Sequence, residues 1–253
     1  GSTGTETNSC QLLEGSNVTF KNGTLKSDNN KIMIQNYCNL TLDNMTVEDT
    51  NAQYVVSNNC GNISINNTTI NAGSNANQFA FDVCGYAKYT AGVTVTVSGT
   101  SVINGKVEIS KSAGNTEPMK LNITGGTFNG DLKVDASVGT ENAKSIISVS
   151  GGTFSDPSVL KYMATNATVD IKLLSNINIA KTELATGYIL NAANATANLN
   201  LNGHDIINSS ETADATPFTQ IFTVQNGTLN ISGNGNVKCD ASATAKDDGY
   251  RMV

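Results

Sequence analysis

Two carboxylates and an amine recur at one position of three successive short apolar runs: Asp82 in FDV, Glu108 in VEI and Lys133 in LKV. If these runs are neighbouring β-strands in register, the three side chains share one outward slot, each about one strand spacing (~4.8 Å) from the next. Two carboxylates so placed can divide acid and nucleophile roles on a glycosidic bond or hold a cation, with Lys133 supplying positive charge. The plainer reading, and the one we favour, is a row of polar side chains on a solvated face, since a slip of one residue would dissolve the cluster. A second grouping, Tyr86, Lys88 and Tyr89 within CGYAKYTAG from Cys84, has the aromatic and cationic character of a surface on which sugar rings stack. Against it stands the tolerance of surface loops for insertion.

Other chemistries find little support. Lys and Arg together number 15 against 21 Asp and Glu, and Arg251 is the only arginine, so the basic footprint that holds nucleic acid phosphates is missing. No run approaches the roughly 18 apolar residues of a membrane span. The five cysteines, Cys10, Cys38, Cys60, Cys84 and Cys239, show no CxxC or Cys-His spacing for zinc, and neither a metal nor a cofactor is expected. Cys38 and Cys60 precede adjacent copies of a repeat, which allows either a disulfide between coils or an interior column of reduced thiols; the odd count favours the column. The chain opens GSTGTETNSC, without Met or a charged-then-apolar leader, and reads as a processed piece of something longer.

The elements that must position these residues are legible as a repeat. The phrase LTLDNMTV from Leu40 recurs as VTFKNGTL from Val18, ISINNTTI from Ile63, VTVSGTSV from Val95, LNITGGTF from Leu121, ISVSGGTF from Ile147, LNLNGHDI from Leu199 and LNISGNGN from Leu229, with a degenerate copy, VDIKLLSN, from Val169. Slots one and three are apolar and slot two is Thr, Asn or Ser, the period of two that sends alternate side chains to opposite faces of a strand. The fifth slot is Asn22, Asn44, Asn67, Gly99, Gly125, Gly151, Gly203 or Gly233, departing only at Leu173 of the degenerate copy. Asn and Gly share a tolerance of positive φ, so one left-handed residue is expected to turn the chain there. A further apolar run precedes most copies, as at Ile32, Tyr54, Phe79, Val107, Asp131, Tyr188 and Ile221.

Three strands per repeat of at least about 22 residues predict an all-β protein: a single right-handed parallel β-helix of about nine rungs between residues 10 and 240, with 241–253 as a tail or the start of a further segment. Connections between first and second strands lengthen along the chain, from QNYCN and SNNCGN to CGYAKYTAG, SKSAGNTEP, ASVGTENAK and NAANATAN. They are expected to lie side by side at one corner. Ser209–Gln220, with Pro217, is a long connection between rungs. Asn-x-Ser/Thr triplets such as those at Asn39 and Asn122 follow from an Asn- and Thr-rich turn phrase and read as its by-products.

On these residues the chain resembles the pectin-lyase-like parallel β-helix superfamily. The GGTF pair at Gly125 and Gly151, followed by SDPSVLKYMA, is similar to repeats of surface and secreted proteins of gut bacteria. The resemblance implies architecture and a bacterial surface or secreted location, while lyases, hydrolases, adhesins and passive stalks all share that architecture. It also implies what an enzyme of this shape would need. Lyases use acidic calcium ligands with a strong base, for which Arg251 lies beyond the last rung and Lys133 alone remains. Hydrolases use an Asn-Thr-Asp segment, which is missing here, an Asp pair, here trailing the last rung as Asp247 and Asp248, and a Gly-His-Gly segment. The nearest match to the last, Gly203 to Asp205, lies in the turn phrase, where His204 reads as a corner residue. The expectation is therefore a non-enzymatic module that adheres to or contacts a polysaccharide or surface glycan. A lyase or hydrolase acting at Asp82, Glu108 and Lys133 is the alternative, and a passive stalk the third.

Overall fold

The structure is a computed structural model that describes residues 8–179, 187–208 and 221–239. The expected connection at Ser209–Gln220, the tail at 241–253, and Asp247, Asp248 and Arg251 lie outside the described residues. The chain is a nearly all-β, right-handed parallel solenoid of about seven turns rather than nine. The count falls because one phrase supplies only two strands, whereas a turn also needs a first strand. Before the Val169 copy the chain instead forms a 3-10 helix, Pro157–Tyr162. Two compact units divide the chain, Gly1–Thr153 and Phe154–Val253, and each is described by itself.

In the first unit six first strands stack in parallel: Asn8–Leu12, Ile32–Asn36, Tyr54–Asn58, Phe79–Gly85, Lys106–Lys111 and Leu132–Val134. Their levels are called coils 1 to 6. In coils 1 and 2 a single strand, Asn17–Ser27 and Asn39–Asp49, runs through the corner and serves as second and third strand together. The next coils break there into Gly61–Asn66 with Thr69–Ala72, Val93–Ser98 with Val102–Asn104, and Met119–Ile123 with Thr127–Phe128. Val18, Leu40, Ile63, Val95, Leu121 and Ile147 stand in one column, partner by partner, as their phrases align. From Leu40 onward every member of that column is buried, and so are Ile34, Val56, Phe81 and Val107 in the first-strand sheet. Alternation thus sends one aliphatic or aromatic side chain per level into a continuous core.

The corner after the second strand is left-handed at Asn22, Asn44, Asn67 and Gly99, with φ of 57, 53, 48 and 64°. Gly125 and Gly151 correct the expectation. In both double-glycine phrases the positive φ falls one residue later, at Gly126 (94°) and Gly152 (113°). Thr124 still pairs its N–H with the Val97 carbonyl at 2.9 Å, so the strand reaches the corner before bending, and a second glycine makes the later bend free of steric cost.

Polar side chains on the outer faces are tied to their counterparts one coil away. Asn44 donates to Asn22 at 3.0 Å, Asn39 to Asn17 at 2.9 Å, and Asn66 to Asp43 at 2.9 Å. The abundance of Asn therefore serves hydrogen-bonded columns as well as turns.

In the second unit Thr168–Lys172, Tyr188–Asn200 and Phe222–Ser232 pair in parallel, as do Ile177–Ile179, Ile206–Asn208 and Val237–Cys239. The phrase alignment is corrected here by two residues. Leu199 stands between Ile171 and Ile231, while Val169 and Leu229 flank Ala197. A slip of two keeps every side chain on its own face, so hydrophobic alternation cannot reveal it. Gly203 and Gly233 both have positive φ, 84 and 82°, but the corner near Gly203 begins at Asn202 (51°). NAANATAN is not a projecting loop: it lies inside the strand Tyr188–Asn200, which bends at Asn194 (φ 56°) with a shift of register.

Candidate functional site

Asp82, Glu108 and Lys133 do occupy one slot of three adjacent first strands, with Asp82 opposite Glu108 and Glu108 opposite Lys133. The same slot continues toward the N-terminus through Ser57, Gln35 and Gln11. The expected exposure is corrected, however. Lys133 is exposed and Glu108 half-buried, but Asp82 is only 3% exposed. One of its carboxylate oxygens accepts the backbone N–H of Asn58, and the other lies 3.1 Å from the Ser57 hydroxyl. Asp82 thus takes over a donor of the preceding coil and has no free edge for a substrate.

The cover comes from aromatic residues that the sequence reading passed over. Tyr54, in coil 3, stacks on Phe79 of coil 4, with ring centroids 5.2 Å apart and planes at 17°. Its phenol reaches past that level to donate to Glu108 Oε2 in coil 5 at 2.6 Å. Lys133 sends its ammonium over the Phe79 ring, 5.3 Å from the centroid. The signal was available, since aligning YVV with FAFDV puts Tyr54 opposite Phe79. Both are apolar enough to read as core, which hid their outward placement.

Burial pushes the Asp82 carboxyl up to about 8, and the neighbouring Glu108 adds to this, while the donors on Asn58 and Ser57 pull the other way. Burial likewise pushes the Cys84 thiol up to about 12, helped by the charge on Asp82. The Tyr54 phenol is raised by burial first and by its hydrogen bond to Glu108 second.

Tyr86, Lys88 and Tyr89 lie on the corner between the first and second strands of coil 4. The loop is fixed by Ser112 N–H on the Gly85 carbonyl (2.8 Å), Ala87 N–H on the Ser112 hydroxyl (2.8 Å) and Tyr89 N–H on the Tyr86 carbonyl (2.9 Å). Tyr89 does not offer a free ring. It packs against Tyr37 of coil 2 at 4.8 Å and carries Lys88 Nζ 5.7 Å from its own centroid. Tyr86, 41% exposed and 5.8 Å from Tyr89, and the exposed Lys88 are the members that face solvent. Tyr37, inside QNYCN, was the missed partner.

Among the described residues no group of three or more His, Cys, Asp or Glu is placed to hold a metal ion. Cys10, Cys38, Cys60 and Cys84 are free thiols, and Cys38 and Cys60 are buried at adjacent corners. His204 is half-buried in the turn, its N–H on the Leu201 carbonyl at 2.8 Å. No helix among the described residues is long and apolar enough to cross a membrane. Compared with protein-family models, with curated proteins and with solved structures, the chain matches none.

Proposed function

We propose that this protein is a non-enzymatic β-solenoid module of a bacterial surface or secreted protein, of pectin-lyase-like kind, that contacts a polysaccharide or surface glycan through the corner loop of coil 4. The observation that carries this reading is the contrast in access. Tyr86 and Lys88 stand in solvent on a loop braced by Tyr89 and Tyr37, whereas the carboxylate an enzyme would need, Asp82, is closed off and already hydrogen-bonded. A pre-braced aromatic and cationic pair loses little freedom when a sugar ring settles on it. Binding to an array of neutral and acidic glycans, followed by titration of any that bind, tests the proposal. Tyr86→Ala is expected to weaken such binding at least tenfold with the fold intact, and an unchanged affinity overturns the assignment to this loop.

The enzyme reading has one supporting observation. Asp82, raised to about 8 beside Glu108, has the proton affinity of a general acid. Incubation with the same glycans, scored for new reducing ends or unsaturated products, separates the two readings, and product formation that Glu108→Gln abolishes decides for catalysis. A passive stalk gives no binding and no product.

A further inference from the structure

Tyr54 and Glu108 sit two levels apart, so their hydrogen bond at 2.6 Å passes over coil 4 at the level of Asp82. Beneath it, Asp82 is 3% exposed and is bound to Asn58 N–H and the Ser57 hydroxyl of coil 3. The titratable and charged groups that face Asp82 are Tyr54 from coil 3, Cys84 from its own strand, Glu108 from coil 5 and, one strand further, Lys133 from coil 6. None of them neutralises an ionised Asp82. Tyr54 and Cys84 are neutral donors with raised affinities for their protons, Glu108 is a second carboxylate in register, and Lys133 places its ammonium over Phe79. Lys106, on the same strand as Glu108, commits its ammonium to the carbonyls of Asn75 and Ala76, at 3.2 and 3.1 Å. An Asp82 that ionises in this buried place, beside a second carboxyl group, draws in water or a cation.

We propose that the Tyr54–Glu108 hydrogen bond is a pH-sensitive strap, closed over Asp82 while that buried carboxyl group keeps its proton and released when it ionises. Ser57 fits both states, because its hydroxyl can accept from the protonated acid or donate to the carboxylate. On release Tyr54 lifts from Phe79, water reaches the row Ser57, Asp82, Glu108 and Lys133, and the pairing of coil 3 with coil 4 loosens at the Tyr54 end, where the Phe79 N–H donates to the Gln53 carbonyl at 2.8 Å, while the Asn58 N–H keeps its bond to the carboxylate. The reverse follows on acidification.

Infrared spectra and residue-resolved amide exchange of the whole chain, recorded from pH 6 to pH 9.5, test this. The expected result at pH 7 is a protonated-acid carbonyl band that Asp82→Asn removes and that titrates away with a midpoint about 8. Corrected for intrinsic exchange, the Phe79 amide, bonded to the Gln53 carbonyl beside Tyr54, is expected to lose at least tenfold protection across the same range. Tyr54→Phe, which cuts the strap and keeps the ring, is expected to show the unprotected level already at pH 7. Should Asp82→Asn fail to fold, the wild-type titration and Tyr54→Phe still decide. Absence of the band at pH 7, constant Phe79 protection through pH 9.5, or wild-type protection in Tyr54→Phe each overturns the proposal.

Discussion

Two outward rows on the first unit meet the same demand and answer it differently. On the third-strand face, Lys26, Glu48, Asn71, Asn104 and Asn129 form an unbroken chain. The Lys26–Glu48 pair is 2.5 Å apart, and donors from Asn71, Asn104 and Asn129 follow at 3.0, 2.8 and 2.7 Å. On the first-strand face, Gln11 donates to Gln35 at 3.3 Å and Ser57 lies 3.1 Å from Asp82, but no bond joins Asp82 to Glu108, and Lys133 turns to an aromatic ring. The difference lies in the chemistry of the amide. Asn both donates and accepts and can pass a hydrogen bond indefinitely along stacked coils, whereas a carboxyl group carries no N–H to pass on, and Asp82 turns both its oxygens back to Ser57 and Asn58 of coil 3. Where Asp82 meets Glu108 the chain of bonds must break, and donors from outside the row, the Asn58 backbone and the Tyr54 phenol, fill the gap. Regular rows therefore report construction. The interrupted row is the one whose protonation state has consequences.

The largest expected effect breaks the interrupted row at its buried member. Asp82→Ala strands the Asn58 N–H and the Ser57 hydroxyl in a dry place, and with buried unpaired groups costing about 1–3 kcal/mol each, the loss should be on the order of 3 kcal/mol. Denaturant unfolding measures it. A loss below about 1 kcal/mol would mean that water enters the site and Asp82 is no keystone. Next comes pH. Because its carboxyl is raised from 3.8 to about 8, Asp82 binds its proton more tightly in the folded chain. Its contribution to stability is complete below the unfolded value and is lost as pH rises toward about 8. Unfolding midpoints between pH 5 and pH 8 should therefore fall in the wild type and stay flatter in Asp82→Asn. The half-buried acids Asp43, Glu48 and Asp205, held low chiefly by hydrogen bonds from Lys21, Lys26 and Lys238, act with the opposite sign: their contribution is present at neutral pH and fades as pH falls through their depressed values.

How much of this the chain announces differs between the same regions. Along their second strands the six phrases of the first unit predict their own register to the residue, but on the third strand the Val95 copy runs one residue late, so that Ile103 and not its eighth-slot Val102 stands between Ile70 and Phe128. The in-register placement of Asp82, Glu108 and Lys133 is legible separately, from aligning the first-strand runs FDV, VEI and LKV. Its cover is not, since Tyr54 and Phe79 look like core residues whichever face they take. In the second unit Ala197 fills a slot held elsewhere by larger side chains, and the alignment settled on Leu199 two residues away, a shift that periodicity of two cannot expose. The corner loop was visible as Tyr86, Lys88 and Tyr89, but its brace on Tyr37 joins residues two coils apart, and no local pattern encodes that contact.

The regular row yields the smaller effects. Asn104→Ala removes one link on each side, to Asn71 and to Asn129, yet both neighbours reach water, so a loss of about 0.5–1.5 kcal/mol is expected. Smallest of all is Lys26→Met. The Lys26 side chain is 67% exposed and Glu48 keeps its donor from Asn71, so the midpoint of unfolding should not move measurably at physiological ionic strength. The pair is still informative, because Lys26 lies at the head of the row. If the amides only stack, losing the charge leaves the links beyond Glu48 as they were. If the charge orients them, the change should propagate, and amide exchange at Asn71, Asn104 and Asn129 should quicken together, more in low salt than in high. Unchanged exchange at all three establishes the row as a set of independent contacts, and a graded response that fades from Asn71 to Asn129 establishes it as a polarised chain.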